Sequence, residues 1–483
     1  MRRNIKGATL WAALLFAVLA IPGIFAQEAG KGAASSFVKE NLATFSSFVL
    51  SNGIPVYVKR NDANRVRNIS LIVQEGGAAD PSQAGLAKLA LSTMARASAH
   101  YAYEEVVEQL DATSSSIGAS ANFEYGALTL NALDKYFDSL FPVWADMATN
   151  PGFRDEDFRQ ARHEAELAVQ SKDQDPWAFA GKIMNAAFFE NHPYSVDPDG
   201  TEASLGAARV GDLKEWYGKS FVPERIFLVA VGSFDPEALK GLLEPTIGAM
   251  AGKNSPPAKR APDFKASPAR GLIAEAHEQS RGVFYLRGDF PAPGPSAPDY
   301  MAANLAMKLF SDLLFTVVRD GYGAVYTPSA LIRAFGANYG SISIYKTSAP
   351  EKIKSYIDET VGILSQGRCV SVDPSRSGEE AKFMRIEDAL ESYKRMYVNE
   401  YFAAVRTNAA VSRLTIASVL RAGDPADWLY DVPRIGSLTP ADVAKAFDDY
   451  VIKGNFTWVA AGDQNLLDRL PPGQFKGFGV GSP

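Results

Sequence analysis

The chain has 483 residues, of which 47% are hydrophobic and 22% are charged, an ordinary globular composition. Its formal net charge of −6 excludes the basic footprint of a nucleic-acid-binding protein, so no nucleic-acid partner is expected. The single cysteine, Cys369, excludes an intramolecular disulfide and is interpreted as a small buried side chain. The length exceeds what one hydrophobic core usually serves, which predicts two or more domains.

Residues 1–26 have the layout of a secretory signal peptide. Arg2 and Arg3 give a basic start, residues 10–21 are an apolar run, and cleavage is expected after Ala26. The run is shorter than the roughly 20 residues that a membrane-spanning helix needs. We therefore predict an exported, periplasmic protein with no stable membrane anchor after cleavage. A signal peptide that is retained as an anchor is the alternative.

The predicted elements follow a flexible segment over residues 27–44. Two short strands surround the Asn52-Gly53 turn, and another strand follows. Periodicity of 3.6 residues indicates helices and strict alternation indicates strands. The predicted elements after the turn are a strand at 67–74, helices at 86–97 and 103–110, a strand at 123–133, and helices at 137–147 and 155–172.

The second half of the chain repeats the first. Residues 212–232 and 442–462 match without a gap, and each reads as a capped helix, a connector and an apolar strand that ends in glycine. Residues 252–270 hold four prolines and are predicted to be a linker. The expected fold class is α+β, with tandem homologous lobes at residues 45–251 and 271–475. Each lobe is predicted to have an antiparallel sheet with helices packed on it, which gives a clam shell.

A short stretch in the first half resembles a known motif but lacks the side chains that perform its chemistry. It reads Gly85-Leu86-Ala87-Lys88-Leu89-Ala90-Leu91-Ser92-Thr93-Met94. Its flanks resemble the pitrilysin-type (insulinase-like) zinc metallopeptidase family, in which His-x-x-Glu-His lies between Gly-[Leu/Ile]-Ala and Met. Lys88 and Ser92 occupy the two histidine positions, and Leu91 occupies the position of the water-activating glutamate.

These side chains cannot perform the family's chemistry. A lysine ammonium does not bind zinc, a serine hydroxyl is a poor zinc ligand, and leucine cannot accept a proton. The resemblance therefore implies a non-catalytic member with no cofactor bound by this chain. The family's third zinc ligand is a glutamate ahead of an Asp-Pro. Glu164 and Glu166 precede Asp175-Pro176, but not at the family's distance; they are interpreted as a solvated helix face, and whether one is a relic of that ligand stays open.

Other motifs carry the same resemblance along nearly the whole mature chain. They are Leu50-Ser51-Asn52-Gly53-Ile54-Pro55-Val56, His192-Pro193-Tyr194 followed by Gly200-Thr201, and Phe315-x-x-Val318-Arg319-Asp320-x-x-Gly323-x-x-Tyr326. The glycine-rich stretch typical of the non-catalytic subunit of mitochondrial processing peptidase does not occur at residues 305–314. No two of the chain's histidines have the i, i+4 spacing of a zinc helix, and His192 is predicted to be a structural turn residue.

Arg319 and Tyr326 match residues that, in active relatives, face the zinc from the second lobe. The resemblance implies that they bind the substrate backbone and help to stabilise the tetrahedral intermediate. An arginine presents a rigid fork of donors to carbonyl oxygens, and a tyrosine hydroxyl adds another donor. From the residues alone, the alternative is an ordinary helix-end arginine and a strand aromatic.

Some bacterial members of the family divide the work between two chains, and this sequence is similar to the kind without the zinc motif. We predict a non-catalytic subunit whose partner is a zinc-motif-bearing homologous peptidase, with the zinc in the partner and a peptide as substrate. An inactive peptide-binding or envelope scaffold that acts without a peptidase partner is the alternative. A third possibility is an enzyme with an unrecognised metal or another chemistry.

Overall fold

The computed structural model describes residues 29–77, 81–256, 271–334, 336–373 and 382–478. The predicted signal peptide lies outside the described residues, as does most of the predicted linker, from residue 257 to residue 270.

The first lobe is built around a six-stranded sheet. Its strands are β1 (Phe45–Val49), β2 (Pro55–Arg60), β3 (Val66–Val73), β4 (Ser116–Ala121), β5 (Gly126–Leu133) and β6 (Ile226–Gly232). The helices of this half are α1 (Ala29–Leu42), α2 (Leu86–Met94), α3 (Tyr103–Thr113), α4 (Asp134–Thr149), α5 (Asp155–Gln174), α6 (Pro176–Phe188), α7 (Glu202–Ala207), α8 (Val210–Ser220) and α9 (Pro236–Leu243).

The second lobe contains a five-stranded sheet and a separate short strand pair. Its strands are β7 (Gly271–Ala276), β8 (Phe284–Pro291), β9 (Val325–Ala334), β10 (Asn338–Thr347), β11 (Arg368–Val370), β12 (Phe383–Arg385) and β13 (Thr457–Gly462). Its helices are α10 (Tyr300–Leu314), α11 (Ile353–Ser365), α12 (Ile386–Ala404), α13 (Asn408–Ala422), α14 (Asp431–Gly436), α15 (Pro440–Phe447) and α16 (Gln464–Leu467). A π-helix, Phe315–Gly321, continues α10, and another, Asp448–Ile452, continues α15.

The two sheets repeat one topology. The first has the strand order β1-β2-β6-β3-β5-β4, and the second has the order β7-β13-β8-β10-β9. In both, one parallel pair (β2 with β6, β7 with β13) joins an otherwise antiparallel ladder. The repeated segments found in the sequence end in β6 and β13, which hold the same place in the two sheets. The predicted α+β fold of two tandem homologous lobes is therefore confirmed.

Each lobe covers part of the other lobe's sheet. Helix α6 of the first half packs on β8 and β13, where Met184 and Val459 share a buried cluster. Helix α13 of the second half packs on β3 and β6, where Ile416 and Val229 share another. The opposite faces carry the lobes' own helices, with α2 and α4 on the first sheet and α10 on the second. Each sheet is therefore buried on both faces, and the lobes interlock.

The N-terminal segment corrects one prediction. Residues 29–42, within the segment predicted to be flexible, form α1. The ring of Phe37 lies 5.2 Å from that of Phe402, and Val38 is buried in a cluster with Trp428. The small, polar composition of this segment gave no sign of its short apolar face, which packs against the second lobe.

One helical stretch within the described residues, Tyr300–Gly321, is long and apolar enough to cross a membrane. It packs against β9, α11 and α15, and 67% of its apolar window is buried inside the protein. This stretch is therefore apolar because it is the central core helix of the second lobe.

A buried ion pair lies on β8 beneath α6. The Nε and Nη2 atoms of Arg287 donate hydrogen bonds to the Asp289 carboxylate at 2.8 and 2.7 Å. Asp289 is 0% exposed and Arg287 is 9% exposed. Burial by itself lowers the pKa of Arg287, but Asp289 raises it above its usual value. The pair is therefore charged within the interface between the lobes.

We predict that Asp289→Ala lowers the free energy of unfolding by about 3–5 kcal/mol, because it leaves a buried guanidinium without a counter-charge. The double change Arg287→Met with Asp289→Leu should recover most of that loss. Urea unfolding, monitored by tryptophan fluorescence, measures the free energy of unfolding of both variants. An unchanged stability for Asp289→Ala would contradict the burial of this pair.

Candidate functional site

The degenerate zinc-motif positions lie on α2. The helix begins after Gly85, whose φ of 85° is in the left-handed region that glycine adopts freely. A Cβ atom at Gly85 would lie 2.9 Å from both the Asp199 carbonyl oxygen and the Gly200 Cα. The glycine therefore lets the loop that carries Asp199 approach the start of the helix.

Lys88 is part of an ion-pair network at this point. Its Nζ donates to Oδ1 of Asp199 at 2.7 Å, and Lys172 of α5 donates to the other carboxylate oxygen. Lys172 also lies 3.0 Å from Oδ2 of Asp197. The side chains of Lys88 and Asp199 are 35% and 19% exposed, so the network is half-buried. It connects α2, α5 and the loop at residues 197–199.

The protein environment favours the charged forms of this network. Burial alone raises the pKa of Asp199, but the hydrogen bonds from Lys172 and Lys88 bring it below its usual value of 3.8. Burial alone lowers the pKa of Lys172, whereas Asp199 and Asp197 raise it above its usual 10.5. Both groups therefore stay ionised at neutral pH.

Leu91 and Ser92 face apolar surroundings. Leu91 is fully buried, and its Cδ1 would lie 2.3 Å from a Cβ atom added to Gly126 of β5, so it fills the space above that glycine. Ser92 lines a cavity of about 290 Å³ between α2, α3 and β4, together with Arg96 and Tyr103. The guanidinium of Arg96 lies 4.2 Å from the centre of the Tyr103 ring.

The residues at these positions do not fit a catalytic zinc. Glu164 accepts a hydrogen bond from Arg96 at 3.1 Å, and Glu166 lies 3.5 Å from Arg162, so both candidate relics are paired with arginines. Within the described ranges, no group of three or more His, Cys, Asp or Glu side chains is arranged to hold a metal ion. We derive no zinc-dependent step for this chain.

The His-Pro-Tyr motif proves to be structural. His192 is buried and caps the short turn Pro193–Ser195, with its Nδ1 accepting a hydrogen bond from the Tyr194 amide at 3.1 Å. The predicted role of His192 as a turn residue is confirmed.

Tyr194 makes a contact that sequence reasoning missed. Its hydroxyl accepts a hydrogen bond from the Gly336 amide of the second lobe at 3.0 Å and donates one to Glu124. Burial, followed by the Glu124 carboxylate, raises the pKa of Tyr194 well above its usual value. The tyrosine of the His-Pro-Tyr motif was the one sequence signal for this contact. Its partner Gly336 lies 142 residues further along the chain, so the sequence did not identify it.

Arg319 and Tyr326 are brought together in the second lobe. Arg319 lies in the π-helix and Tyr326 near the start of the edge strand β9. The guanidinium is 4.4 Å from the ring centre of Phe315 and 5.9 Å from that of Tyr326. Tyr326 is 65% exposed. Arg319 forms no ion pair or side-chain hydrogen bond within the part of the chain that the structure describes.

The two sets of positions are held by different lobes. Helix α2 packs against β4, β5, α5 and α8 in the first lobe, and the π-helix packs against α10, α11 and β9 in the second. No hydrogen bond or ion pair between described residues joins Lys88 or Ser92 to Arg319 or Tyr326. Within one chain the structure therefore pairs the arginine with the tyrosine and keeps both separate from the degenerate zinc helix.

A duplicated α+β clam shell with a zinc helix that lacks its ligands defines a class, the inactive-type homologues of zinc metallopeptidases. Two family models match the chain: "Insulinase (Peptidase family M16)" over residues 56–197 and "Peptidase M16 inactive domain" over residues 208–365. The chain belongs to peptidase family M16 and is an inactive-type member of it.

Curated relatives are distant. An uncharacterized zinc protease of Mycobacterium leprae is 23% identical over 253 residues, which cover 51% of this chain and 56% of that protein. The uncharacterized zinc protease YmxG of Bacillus subtilis is 18% identical, covering 69% of this chain and 82% of that protein. The non-peptidase homolog YmxG of Helicobacter pylori is 23% identical over 180 residues, with 37% and 42% covered. The chain spans 56–60% of the length of the mycobacterial relatives that it matches.

Solved structures share the fold. A peptidase M16 inactive domain from Pseudomonas fluorescens superposes with a TM-score of 0.72 at 15% identity, covering 87% of this chain and 98% of that one. A protease from Helicobacter pylori gives a TM-score of 0.74 at 13% identity, covering 86% and 99%. A chain of Complex III2 from Candida albicans, Inz-5 bound, gives 0.72 at 15% identity, covering 89% and 98%.

We predict that Asp199→Asn lowers the free energy of unfolding at neutral pH by about 1–3 kcal/mol, because two lysines lose a charged acceptor. The folded-state pKa of Asp199 lies below 3.8, so its stabilisation is present above that pH and is lost as the pH falls through the folded value. The difference from the unmodified chain should therefore shrink below about pH 4.

Urea unfolding at a series of pH values measures this difference. Asp197→Asn is the matched control and should have the smaller effect, because Asp197 pairs with Lys172 alone. A difference that is undiminished near about pH 2 would contradict the ion-pair origin of the stabilisation.

Proposed function

We propose that the chain is a non-catalytic subunit of an M16-type metallopeptidase, which supplies Arg319, Tyr326 and half of a peptide chamber to a zinc-bearing homologous partner. One observation carries the proposal. The Arg319 guanidinium lies 4.4 Å from the ring centre of Phe315 and 5.9 Å from that of Tyr326, and it forms no ion pair with a carboxylate of the described residues.

The chemistry of this pair suits a bound peptide. Cation–π contacts with the two rings position the guanidinium without using its N–H donors, which remain available to peptide carbonyl oxygens. The exposed hydroxyl of Tyr326 adds a donor beside them. Donors held in place in this way stabilise the oxyanion that forms when a peptide carbonyl is attacked. Within the described residues no side-chain group is arranged to hold the metal ion for the attack itself, so we assign that step to the partner.

The partner is inferred to be a homologue. A curated relative that is 23% identical over 192 residues is named mitochondrial-processing peptidase subunit alpha, from Solanum tuberosum, and is a subunit by its name. Other relatives are named zinc proteases. Two homologous clam shells can dock through pseudo-twofold contacts, which would place the Arg319 surface of one opposite the zinc helix of the other. The signal-peptide pattern at residues 1–26 supports a periplasmic location for the complex.

We predict that the isolated chain holds no stoichiometric zinc after expression in zinc-supplemented medium, because Lys88 and Ser92 cannot replace two histidines. Elemental analysis of the purified chain measures the metal, with the zinc-bearing homologue as the positive control. One zinc per chain would favour the alternative of an enzyme with an unrecognised metal site.

We predict that mixing the chain with the zinc-motif homologue from the same cell raises peptidase activity above that of either protein alone. Arg319→Ala should lower kcat/KM of the complex by about 10²–10³-fold, the usual effect of removing an oxyanion donor. Tyr326→Phe keeps the ring and should cause a smaller loss.

Arg395→Ala, at an exposed position of α12, is the matched control and should leave activity unchanged. The thermal unfolding midpoint of each variant separates a local from a structural effect. Full activity of the Arg319→Ala complex would rule out the role of Arg319. Failure of the chain to bind or activate the homologue would favour a peptide-binding or envelope scaffold without a peptidase partner.

A further inference from the structure

A polar cleft of about 580 Å³ lies at the end of the second sheet, between the β7–β8 loop and β10. Its lining residues are Glu278, Gln279, Arg281, Val283, Tyr285 and Lys346. Tyr285 also contacts the first half, because its ring centre is 6.3 Å from that of Trp177 at the start of α6. The cleft therefore lies where the two lobes meet.

The duplication supplies an internal comparison. In the other half, the β2–β3 loop and the start of α13 hold the places of the β7–β8 loop and the start of α6. There the gap is closed by asparagines: Asn408 donates hydrogen bonds to Val66 O at 2.5 Å and Asn64 Oδ1 at 3.0 Å, and accepts one from Asn61 at 2.6 Å. The junction between β7 and α6 is bridged differently: His277 Nε2 donates a hydrogen bond to the Asp173 carbonyl oxygen at 2.9 Å, and the polar cleft begins at the next residue, Glu278.

The copy with the cleft also carries an extra residue. In the β8–β10 ladder, Ile344 pairs with Leu286 and Thr347 with Phe284, so β10 has a bulge; the equivalent β3–β5 ladder is continuous. Lys346 lies in that bulge with a φ of 59°, a left-handed conformation that is unfavourable for a lysine. Such strain persists where the surrounding structure imposes it and is concentrated at functional sites.

Two cations of the cleft have no direct ion-pair partner. Lys346 and Arg281 form no ion pair or side-chain hydrogen bond within the described residues, and Glu278 is the one carboxylate among the lining residues. Asp175 lies near Tyr285, and its carboxylate accepts a hydrogen bond from the Ala178 amide at 2.7 Å at the start of α6. The N–H donors of Lys346 and Arg281 are therefore available to a ligand in the cleft.

Neutral donors complete the lining. Burial, with smaller contributions from Tyr345 and Asp175, raises the pKa of Tyr285 to about 12, so its hydroxyl keeps its proton. The side-chain amide of Gln279 adds N–H donors beside it. Two cations and an amide together match a ligand that accepts several hydrogen bonds and carries negative charge.

The cleft borders the Arg319 surface. In the β9–β10 ladder, Tyr345 pairs with Thr327 and Thr347 with Val325, which places Lys346 opposite Tyr326. Directly opposed residues of neighbouring strands are about 5 Å apart at Cα. A peptide held at Arg319 and Tyr326 therefore passes within reach of the bulge.

We propose that this cleft is a carboxylate-binding subsite, in which Arg281 and Lys346 hold the C-terminal carboxylate or an acidic side chain of a bound peptide. The proposal rests on the proposed peptide-binding function and adds a substrate preference to it. The bulge would then serve to direct a lysine at the cleft, which explains why one of the two sheets carries it.

Fluorescence anisotropy with labelled peptides of one sequence tests the proposal. The first peptide has a free C-terminal carboxylate, and the second has a C-terminal amide. The third has glutamate as its last residue and a C-terminal amide. We expect the full mature chain to bind the free acid about tenfold more tightly than the amide, the difference typical of a charge-assisted hydrogen bond. Arg281→Gln and Lys346→Gln should abolish that preference. Lys214→Gln, at an exposed position of α8, is the control and should retain it.

Lys346→Gly separates function from strain. Glycine accepts a positive φ, so this variant should keep or raise the unfolding midpoint while losing the preference for the acid. Tight binding of the glutamate-bearing amide would support the cleft and identify a side chain as the source of the carboxylate. Equal binding of all three peptides would overturn the cleft alone, whereas no binding of any peptide would overturn both the cleft and the peptide-binding role.

Discussion

The exchange of helices between the lobes is the constraint on which the rest of the structure depends. Each sheet is apolar on both faces, and an apolar sheet face must be covered. The lobe's own helices cover one face, and the other is covered by α6 or α13 from the opposite lobe. The start of each exchanged helix then meets the opposite sheet's first loop. Those two junctions differ: asparagines join one, and His277 bridges the other beside the polar cleft.

Helix α2, which carries the degenerate zinc-motif positions, is held in place by side-chain contacts without a metal ion. The Lys88–Asp199–Lys172 network joins α2, α5 and the adjoining loop, as shared ligands of a metal ion would do. Leu91 extends the core over Gly126. The first lobe thus keeps the architecture of a metallopeptidase with its former site occupied by structural contacts. In the second lobe Arg319, which forms no ion pair within the described residues, lies beside the exposed Tyr326. The side chains proposed to bind a peptide are therefore in the second lobe.

Predictions from local patterns succeeded where neighbours in sequence are neighbours in space. The hairpin around Asn52-Gly53 and the helix at residues 86–97 are β1–β2 and α2. Strand β4 was missed, since Ser116–Ala121 consists largely of small residues without a strand signature. Helix α1 was wrongly expected to be flexible, because its apolar face is short and packs against residues of the second lobe that are distant in sequence. The degenerate motif could be recognised in the sequence because its three positions, Lys88, Leu91 and Ser92, lie within one and a half helical turns.

The sequence by itself determined the duplication, the family and the loss of the zinc ligands, because each depends on residue identity at short spacings. Only the tertiary structure decided what replaced the metal and where free charge remains. Asp199 is 111 residues from Lys88, and Gly336 is 142 residues from Tyr194. The bulge at Lys346 depends on a register between strands that composition does not encode. Such contacts form only when the chain has been folded into layers, so no local pattern carries them.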